Sequence, residues 1–332
     1  MLPPLQCPAM FRALLVTLPL LAGLAQAAPN TLEQRPLSLE TAQGTLRGTL
    51  LQPRSDEPLA VALLIAGSGP TDRDGNNPAD GHNDSLKKLA QNLARHGIAS
   101  LRYDKRGVAA SRAATPNERD LSVDAYVADA VAWGRLLKRD KAFDRLILIG
   151  HSEGALIASL AAPQAGADAL VTLAGSARPI DQVLREQLSY RLPPPLLAQS
   201  NRLLDSLLAG QTSTQVPDAL RVLFRPSVQP YLISLFKQHP AEAFARLKIP
   251  ALIVQGSHDI QVSVADAQAL HAAKPDAELL IVPGMNHVLR IVPLAMPAQL
   301  ASYNNPRLPL AGVLGAEIAD FIQRSTSAAD SR

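Results

Sequence analysis

From residue 59 onward the chain alternates short, largely apolar runs with stretches of helical spacing. This rhythm limits the folds open to it more than any other feature. The apolar runs lie at 59–66, 98–103, 146–149, 169–174, 251–255 and 278–282; the helical stretches lie at 84–96, 123–138, 155–162, 265–273 and 315–324. A strand wetted on one side alternates apolar and polar residues. These runs do not, so both faces of their sheet must be covered. Strands separated by helices in this way give a mostly parallel, doubly wound α/β sheet. The 332 residues, 47% hydrophobic and 18% charged, suffice for one large domain with a sizeable core. Residues 37–40 and 45–50 flank a turn at Gln43-Gly44 and predict an antiparallel hairpin at the sheet edge. No repeat of about 20–50 residues occurs, which argues against solenoids and propellers.

Residues 180–246 break the rhythm. They contain Pro193-Pro194-Pro195, then leucines at helical spacing closed by Gly210, and read as an inserted helical lid. The segment enters after the strand ending near Ala174 and returns just before the strand at 251–255. Both ends are therefore expected at the carboxyl edge of the sheet, above the site. Leu184, Leu188, Leu196, Leu197, Leu203, Leu204 and Leu207 supply an apolar face, for which core packing is the favoured role over lining an acyl pocket.

Residues 1–27 stand apart. Arg12 is their only charge, 13–25 is an apolar run interrupted by Pro19 and Gly23, and Ala25-Gln26-Ala27 is a small-x-small cleavage site. The run is shorter than the roughly 20 apolar residues of a membrane span. The reading is a secretory signal peptide cleaved after Ala27, a mature domain over 28–332 with no stable membrane span, and a periplasmic or secreted location. The single cysteine, Cys7, leaves with the leader, so no disulfide is expected. Loss of Arg12 lowers the formal net charge from +3 to +2. Basic and acidic residues are interspersed, so no nucleic-acid surface is implied.

The run at 146–149 breaks on Gly150-His151-Ser152-Glu153-Gly154 and continues as Ala-rich helical sequence. A serine at so sharp a strand-to-helix turn takes strained backbone angles and tolerates only small residues two positions away on either side, the pattern of a G-x-S-x-G nucleophile elbow. Ser152 is the candidate nucleophile. Ligands of an open parallel sheet bind beyond the carboxyl ends of its strands. There, Gly256-Ser257-His258-Asp259 follows one strand, and Pro283-Gly284-Met285-Asn286-His287 follows the next. A serine hydroxyl is a poor nucleophile near neutral pH. A histidine can take its proton, and a buried carboxylate can fix the imidazole tautomer and stabilise its cation. Ser152, Asp259 and His287 meet those needs in the chain order nucleophile, acid, histidine. His258 is the rival to His287, and Asp266 the rival to Asp259. His151 and His258, which flank the nucleophile and the acid, are expected to point away from the reacting centre. The stretch from Asp72 to Asn76 resembles a calcium loop, but its sixth position is Asn77 and its twelfth Asn83, where such a loop needs Gly and Glu. An Asp to Arg pair shaping the adjacent loop is the better reading, with Asp104 and Arg106 as further loop braces. With no cluster of metal-ligand spacing, a cofactor-free mechanism follows.

AGSGPTDRDGNN at 66–77, LRYDKRGVAAS at 101–111, GHSEGA at 150–155, LAGSARP at 173–179, VQGSHDIQVSV at 254–264 and VPGMNHV at 282–288 together resemble a serine hydrolase of the α/β-hydrolase superfamily. More narrowly, they resemble the bacterial EstD-type esterases, which are related to serine-aminopeptidase-like hydrolases. The resemblance covers nearly all of the mature chain and implies the same triad, with activity on small carboxylic esters. It departs from the family at Val108-Ala109-Ala110, where the D-x-R-G-x-G-x-S loop usually has a second glycine. The family also places half of its oxyanion hole after the first long parallel strand, here Gly67-Ser68-Gly69-Pro70. The expected donors are the backbone N–H of Ser68, favoured over that of Gly69, and the N–H of Glu153 after the nucleophile. A peptidase or thioesterase on the same triad, or a non-catalytic binding protein of this fold, are the alternatives. A helical lid together with only 4% aromatic residues favours acyl chains of roughly two to six carbons.

Overall fold

The computed structural model describes residues 32–78, 81–115 and 117–327. The proposed leader and its cleavage site lie outside the described residues. Eight strands form one sheet: β1 (Leu32–Thr41), β2 (Gly44–Pro53), β3 (Leu59–Ile65), β4 (Ala99–Tyr103), β5 (Phe143–His151), β6 (Ala169–Leu173), β7 (Ala251–Gly256) and β8 (Glu278–Val282). Their spatial order is β1-β2-β4-β3-β5-β6-β7-β8. β1 and β2 pair antiparallel, β2 pairs antiparallel with β4, and every later pairing is parallel. The predicted hairpin is present, and its strands run several residues beyond the predicted cores.

Helices cover both faces. They are α1 (Ser85–Arg95), α2 (Val123–Arg139), α3 (Glu153–Ala165), α4 (Ile180–Ser189), α5 (Pro194–Leu208), α6 (Arg221–Phe224), α7 (Gln229–Phe236), α8 (Pro240–Ala245), α9 (Val264–Ala273), α10 (Met296–Tyr303) and α11 (Leu314–Ser327). Because side chains alternate along a strand, β3 sends Val61, Leu63 and Ile65 into a core shared with α2 and α3. The same strand sends Ala62 and Leu64 into a second core shared with α1 and α11. That two-sided demand is why the strand sequences lack polar alternation. The helix ends follow local rules. The Ser122 hydroxyl caps α2 by accepting from Ala125 N–H at 3.1 Å, and α1 ends at Gly97, whose φ of +81° terminates the helical path.

Chain order fixes where a site can form. From β3 the chain crosses to β4 on one side and then returns over β3 to β5 on the other, so the connections diverge at the carboxyl ends of β3 and β5. A crevice opens at such a switch point. It is flanked by Gly67-Ser68-Gly69 after β3 and by Ser152 after β5.

The inserted segment is helical, as expected, with α4 through α8 inside it, but its ends are not both at the carboxyl edge. β6 and β7 are parallel neighbours, Leu170 opposite Ala251 and Leu173 opposite Val254. A chain that leaves the end of one parallel strand and enters the start of the next must traverse the full length of the sheet. The segment therefore leaves at the carboxyl edge and returns at the amino edge, running over the helical layer, where α8 packs on α3 and α9 and α7 on α2. Leu203, Leu204 and Leu207 are fully buried, and Leu184, Leu188 and Leu196 pack partly buried against the same core. A bidentate ion pair from Arg225 to Glu118, with Ser227 Oγ donating to the same carboxylate at 2.5 Å, fastens the segment to the loop before α2. No helix among the described residues is long and apolar enough to cross a membrane.

Candidate active site

The elbow is built by backbone contact. A Cβ on Gly150 would sit 2.1 Å from the Gly154 carbonyl oxygen, and a Cβ on Gly154 would sit 2.2 Å from the Ile65 carbonyl oxygen. No side chain of any size fits at either position. Between them Ser152 takes φ 55° and ψ −122°, a region L-residues rarely adopt. Its N–H donates to the Leu173 carbonyl at 2.8 Å, and its carbonyl accepts from Ala155 N–H at 2.9 Å, so the strain is held from both sides. The side chain stands half-exposed at the mouth of the crevice.

Two loops bring Asp259 and His287 together. A Cβ on Gly256 would lie 2.0 Å from the Met285 carbonyl oxygen, so the loop after β8 can lie directly on the end of β7 only because that position is glycine. Across this contact His287 Nδ1 lies 2.8 Å from Asp259 Oδ2, with the Asp259 side chain fully buried. The carboxylate is saturated. Oδ1 accepts from the N–H groups of Gln261 at 2.7 Å and Val262 at 3.0 Å, and Oδ2 also accepts from Gln255 Nε2 at 3.1 Å. Burial pushes the Asp259 carboxyl up, but the neighbouring His287 and the two backbone N–H groups outweigh it and hold the pKa below the usual carboxylate range. An ionised Asp259 accepts a hydrogen bond from His287 Nδ1, which leaves Nε2 as the ring nitrogen turned to other partners.

The rivals lie elsewhere. His258 Nδ1 donates to the Val292 carbonyl at 2.6 Å and does not reach Asp259. Asp266 caps α9 through a reciprocal pair with Ser263 and takes Arg178 at 3.0 Å, well occupied away from His287. His151 does not point away. Its ring lies 4.9 Å from the His287 ring, and its Nε2–H donates to the His287 carbonyl at 2.8 Å. Burial first, and then the adjacent His287, push its pKa down to about 4, so it stays neutral and holds the His287 backbone by a hydrogen bond without adding charge. Asn286 is fully buried and ties the same loop to α10, donating to Ser302 Oγ at 2.8 Å and accepting Arg290 N–H at 3.0 Å.

The N–H groups of Ser68 and Gly69 donate to no described residue, and the Glu153 N–H, first in its helix, lacks an acceptor within that helix. Gly67 lies so close to the elbow that a Cβ on it would be 3.2 Å from Ser152 Cβ. The predicted Asp to Arg pairs brace this side. Arg73 reaches Asp104 at 2.6 Å, Arg102 reaches Asp74 at 2.5 Å, and Arg106 forms a buried two-point pair with Asp129. Asp72 accepts from the N–H groups of Asp74 and Asn76, a turn-forming role. Among the described residues no group of three or more His, Cys, Asp or Glu could hold a metal. At Ala109, where the family usually has glycine, φ is +41°; the loop keeps the glycine conformation with an alanine in it. A cavity of about 740 Å³ opens beside this loop, lined by Pro70, Val108, Ala109 and Arg112 among others but not by Ser152, Asp259 or His287.

Sequence reasoning missed Lys105, Gln255 and Asn286. Two stand out in the sequence without disclosing a partner: Gln255 is the lone polar residue closing an apolar strand, and Lys105 lies in a run of three charged residues, Asp104-Lys105-Arg106, directly after β4. All three of that run are buried. Burial of that kind demands a partner for each charge.

A family model described as "Serine aminopeptidase, S33" matches residues 79–291. The chain is 29% identical over 264 residues to Esterase EstD of Thermotoga maritima, covering 79% of this chain and 61% of that protein. It therefore spans about three-fifths of that relative's length. In structure it is similar to Est1E from Butyrivibrio proteoclasticus, with a TM-score of 0.59 at 17% identity over 88% of this chain and 99% of the other. It is also similar to the α/β hydrolase GrgF from Penicillium sp. sh18, with a TM-score of 0.56 at 21% identity over 89% and 99%. These likenesses identify an α/β-hydrolase fold.

Proposed function

The chain belongs to the serine aminopeptidase S33 family, and on that premise we propose that it is a serine hydrolase cleaving small carboxylic esters through an acyl-enzyme at Ser152. The observation that carries the reading is the buried Asp259–His287 pair at 2.8 Å at the same carboxyl edge of the sheet as a strained, half-exposed Ser152. A fold that only bound ligands would have no use for that combination. Ser152 Oγ attacks the ester carbonyl carbon while its proton passes to His287 Nε2. Negative charge moves to the carbonyl oxygen, which the N–H groups of Ser68 and Glu153 receive. The carbon–oxygen bond to the alcohol then breaks, and His287 returns the proton to the departing oxygen. Water attacks the acyl-enzyme, gives a proton to His287, and the acid leaves as Ser152 regains its proton. Each oxyanion donor contributes about 3–4 kcal/mol to the transition state.

The ester class is supported by the relative named Esterase EstD, and a preference for acyl chains of roughly two to six carbons rests on the length of the helical insertion and the 4% aromatic content. The family's aminopeptidase description favours one second reading, hydrolysis of aminoacyl amides on the same triad. A fluorophosphonate probe with wild type and Ser152→Ala tests the core of the proposal. Labelling and ester turnover are expected only with Ser152, and wild-type-like turnover in the variant would refute it. A series of p-nitrophenyl esters from acetate to palmitate, run beside aminoacyl amides, reads substrate class. A maximum at long chains rejects the short-ester assignment, and faster amide turnover selects the peptidase. The leader over 1–27 supports a periplasmic or secreted location, for which a mature N-terminus at Ala28 is the expected result.

A further inference from the structure

Lys105 is 2% exposed, and its ammonium donates to two backbone carbonyls, those of Gly67 and of Gly69, the latter at 2.9 Å. It also lies 5.4 Å above the Tyr126 ring. Burying an ammonium costs several kcal/mol unless its hydrogen bonds are replaced. Here they are replaced by carbonyls of the very loop that follows β3. A peptide unit is planar, and no described peptide bond is cis, so the carbonyl of residue 67 and the N–H of residue 68 point in opposite directions. Holding Gly67 O on Lys105 thus aims Ser68 N–H away from Lys105 and keeps it there. The bond to Gly69 O aims no donor, because Pro70 has no N–H. A cation on a carbonyl also polarises the peptide, which strengthens the N–H at its other end. The neighbouring peptide, which carries Gly69 N–H, is held by something weaker: Thr71 Oγ1 donating to Ser68 O at 2.7 Å.

From this geometry we infer that Lys105 is the positioning residue of the oxyanion hole, fixing and polarising the peptide whose Ser68 N–H receives the developing charge. The inference rests on the reaction proposed above and decides between Ser68 and Gly69 as the loop's donor. Such a residue acts on the transition state and not on bound substrate, so its removal lowers kcat and leaves KM nearly unchanged.

The experiment compares wild type, Lys105→Met, Lys105→Arg and Thr71→Val, each checked for folding by thermal denaturation. It measures kcat and KM on a p-nitrophenyl ester, and the affinity of a trifluoromethyl ketone that forms a serine-bound oxyanion. Lys105→Met is expected to lower kcat by about 10–100-fold, with KM within about threefold, and to weaken the ketone by the same factor as kcat. Lys105→Arg, which keeps a cationic donor, is expected to recover part of that loss, and Thr71→Val to stay within about threefold of wild type. A folded Lys105→Met with wild-type kcat, or with only KM raised, overturns the inference. So does a kcat loss in Thr71→Val as large as that in Lys105→Met, which would make Gly69 N–H the donor, or failure of both Lys105 variants to fold, which would make the residue purely structural. If wild type itself is not labelled at Ser152, the hydrolase reading fails. If wild type is labelled and Lys105→Met matches it, only the role of Lys105 fails.

Discussion

Two turns meet at Ser152, one after β5 and one after its neighbour β3, and they are held in opposite ways. The elbow at 150–154 is shaped by main chain, its own and that of β3 and β6 beside it. Two glycines let main chain pass within contact distance, and no side chain from elsewhere is needed to set it. The loop at 67–70 is open on the surface and is shaped by partners far along the chain, Lys105 at a separation of 38 residues and the Arg73–Asp104 pair beyond it. The same requirement, a fixed backbone, is met by main chain packed on main chain in one case and by side chains from elsewhere in the other. Substitutions should therefore act on the two turns in different ways.

The sharpest break in that comparison is Gly154→Ala. Its Cβ would meet the carbonyls of Ile65 and Ala66 at 2.2 and 2.8 Å, both main chain. Loss of activity and a destabilisation beyond the about 1–3 kcal/mol of ordinary overpacking are expected. Gly69→Ala is the counterpart. Its Cβ would meet only Asn77 Nδ2, at 3.3 Å, so a folded protein is expected, destabilised by about 1–2 kcal/mol because φ is +65°. Urea denaturation of the two variants makes the test, and equal losses would dissolve the contrast. Next in size is Asp259→Asn, expected to keep the fold while lowering kcat by about 10⁴-fold through the wrong imidazole tautomer. Neutral kinetics in that variant would mean that another group orients His287.

A third effect is read by pH. His151 is held near a pKa of about 4 in the fold, below its ordinary 6.5, so the unfolded chain protonates first as pH falls. The stability His151 contributes is complete above about pH 6.5 and is lost as pH drops toward about 4. The loss amounts to about 3 kcal/mol. Denaturation at pH 7 and pH 4.5 should show a smaller difference in His151→Gln than in wild type; equal differences would remove His151 from the account. Smallest is Ala109→Gly, on the loop that carries Lys105. Relieving a φ of +41° should stabilise the protein by about 1 kcal/mol, and a lower melting temperature would contradict it.

The two ways of holding a turn also explain what could be read from the chain alone. The strands, most helices and the elbow were legible because their determinants lie within a few residues: apolar runs, caps and glycines at fixed offsets. Asp259 and His287 were legible because each stands just past a strand of a sheet whose direction was already set. Lys105 was not, since nothing in Asp104-Lys105-Arg106 says that a lysine will turn inward to two carbonyls of another loop. The neutral, inward His151 was missed for the same reason. Its partner, the His287 carbonyl, lies 136 residues away. Helix α10 escaped because the stretch before it, Ile291 to Met296, is rich in exposed apolar residues and proline and carries no clean period.

The path of residues 180–246 has a consequence for how this chain could be shortened or remodelled. Its two ends stand at opposite ends of β6 and β7, five and six residues long, or roughly 15–20 Å apart at about 3.3 Å per residue. It is a bridge before it is anything else. A flap rooted at one edge could be excised and its ends rejoined by a tight turn. This span could not, because two parallel neighbours need a connection of at least about a dozen residues. What is open to exchange is the outer face of the middle of the span, around α5 and α6, while both piers and the buried Leu203, Leu204, Leu207 and Phe224 stay in place. A protein with that outer face exchanged should keep all eight strands in register, and one lacking the whole span should lose β7 from its place beside β6.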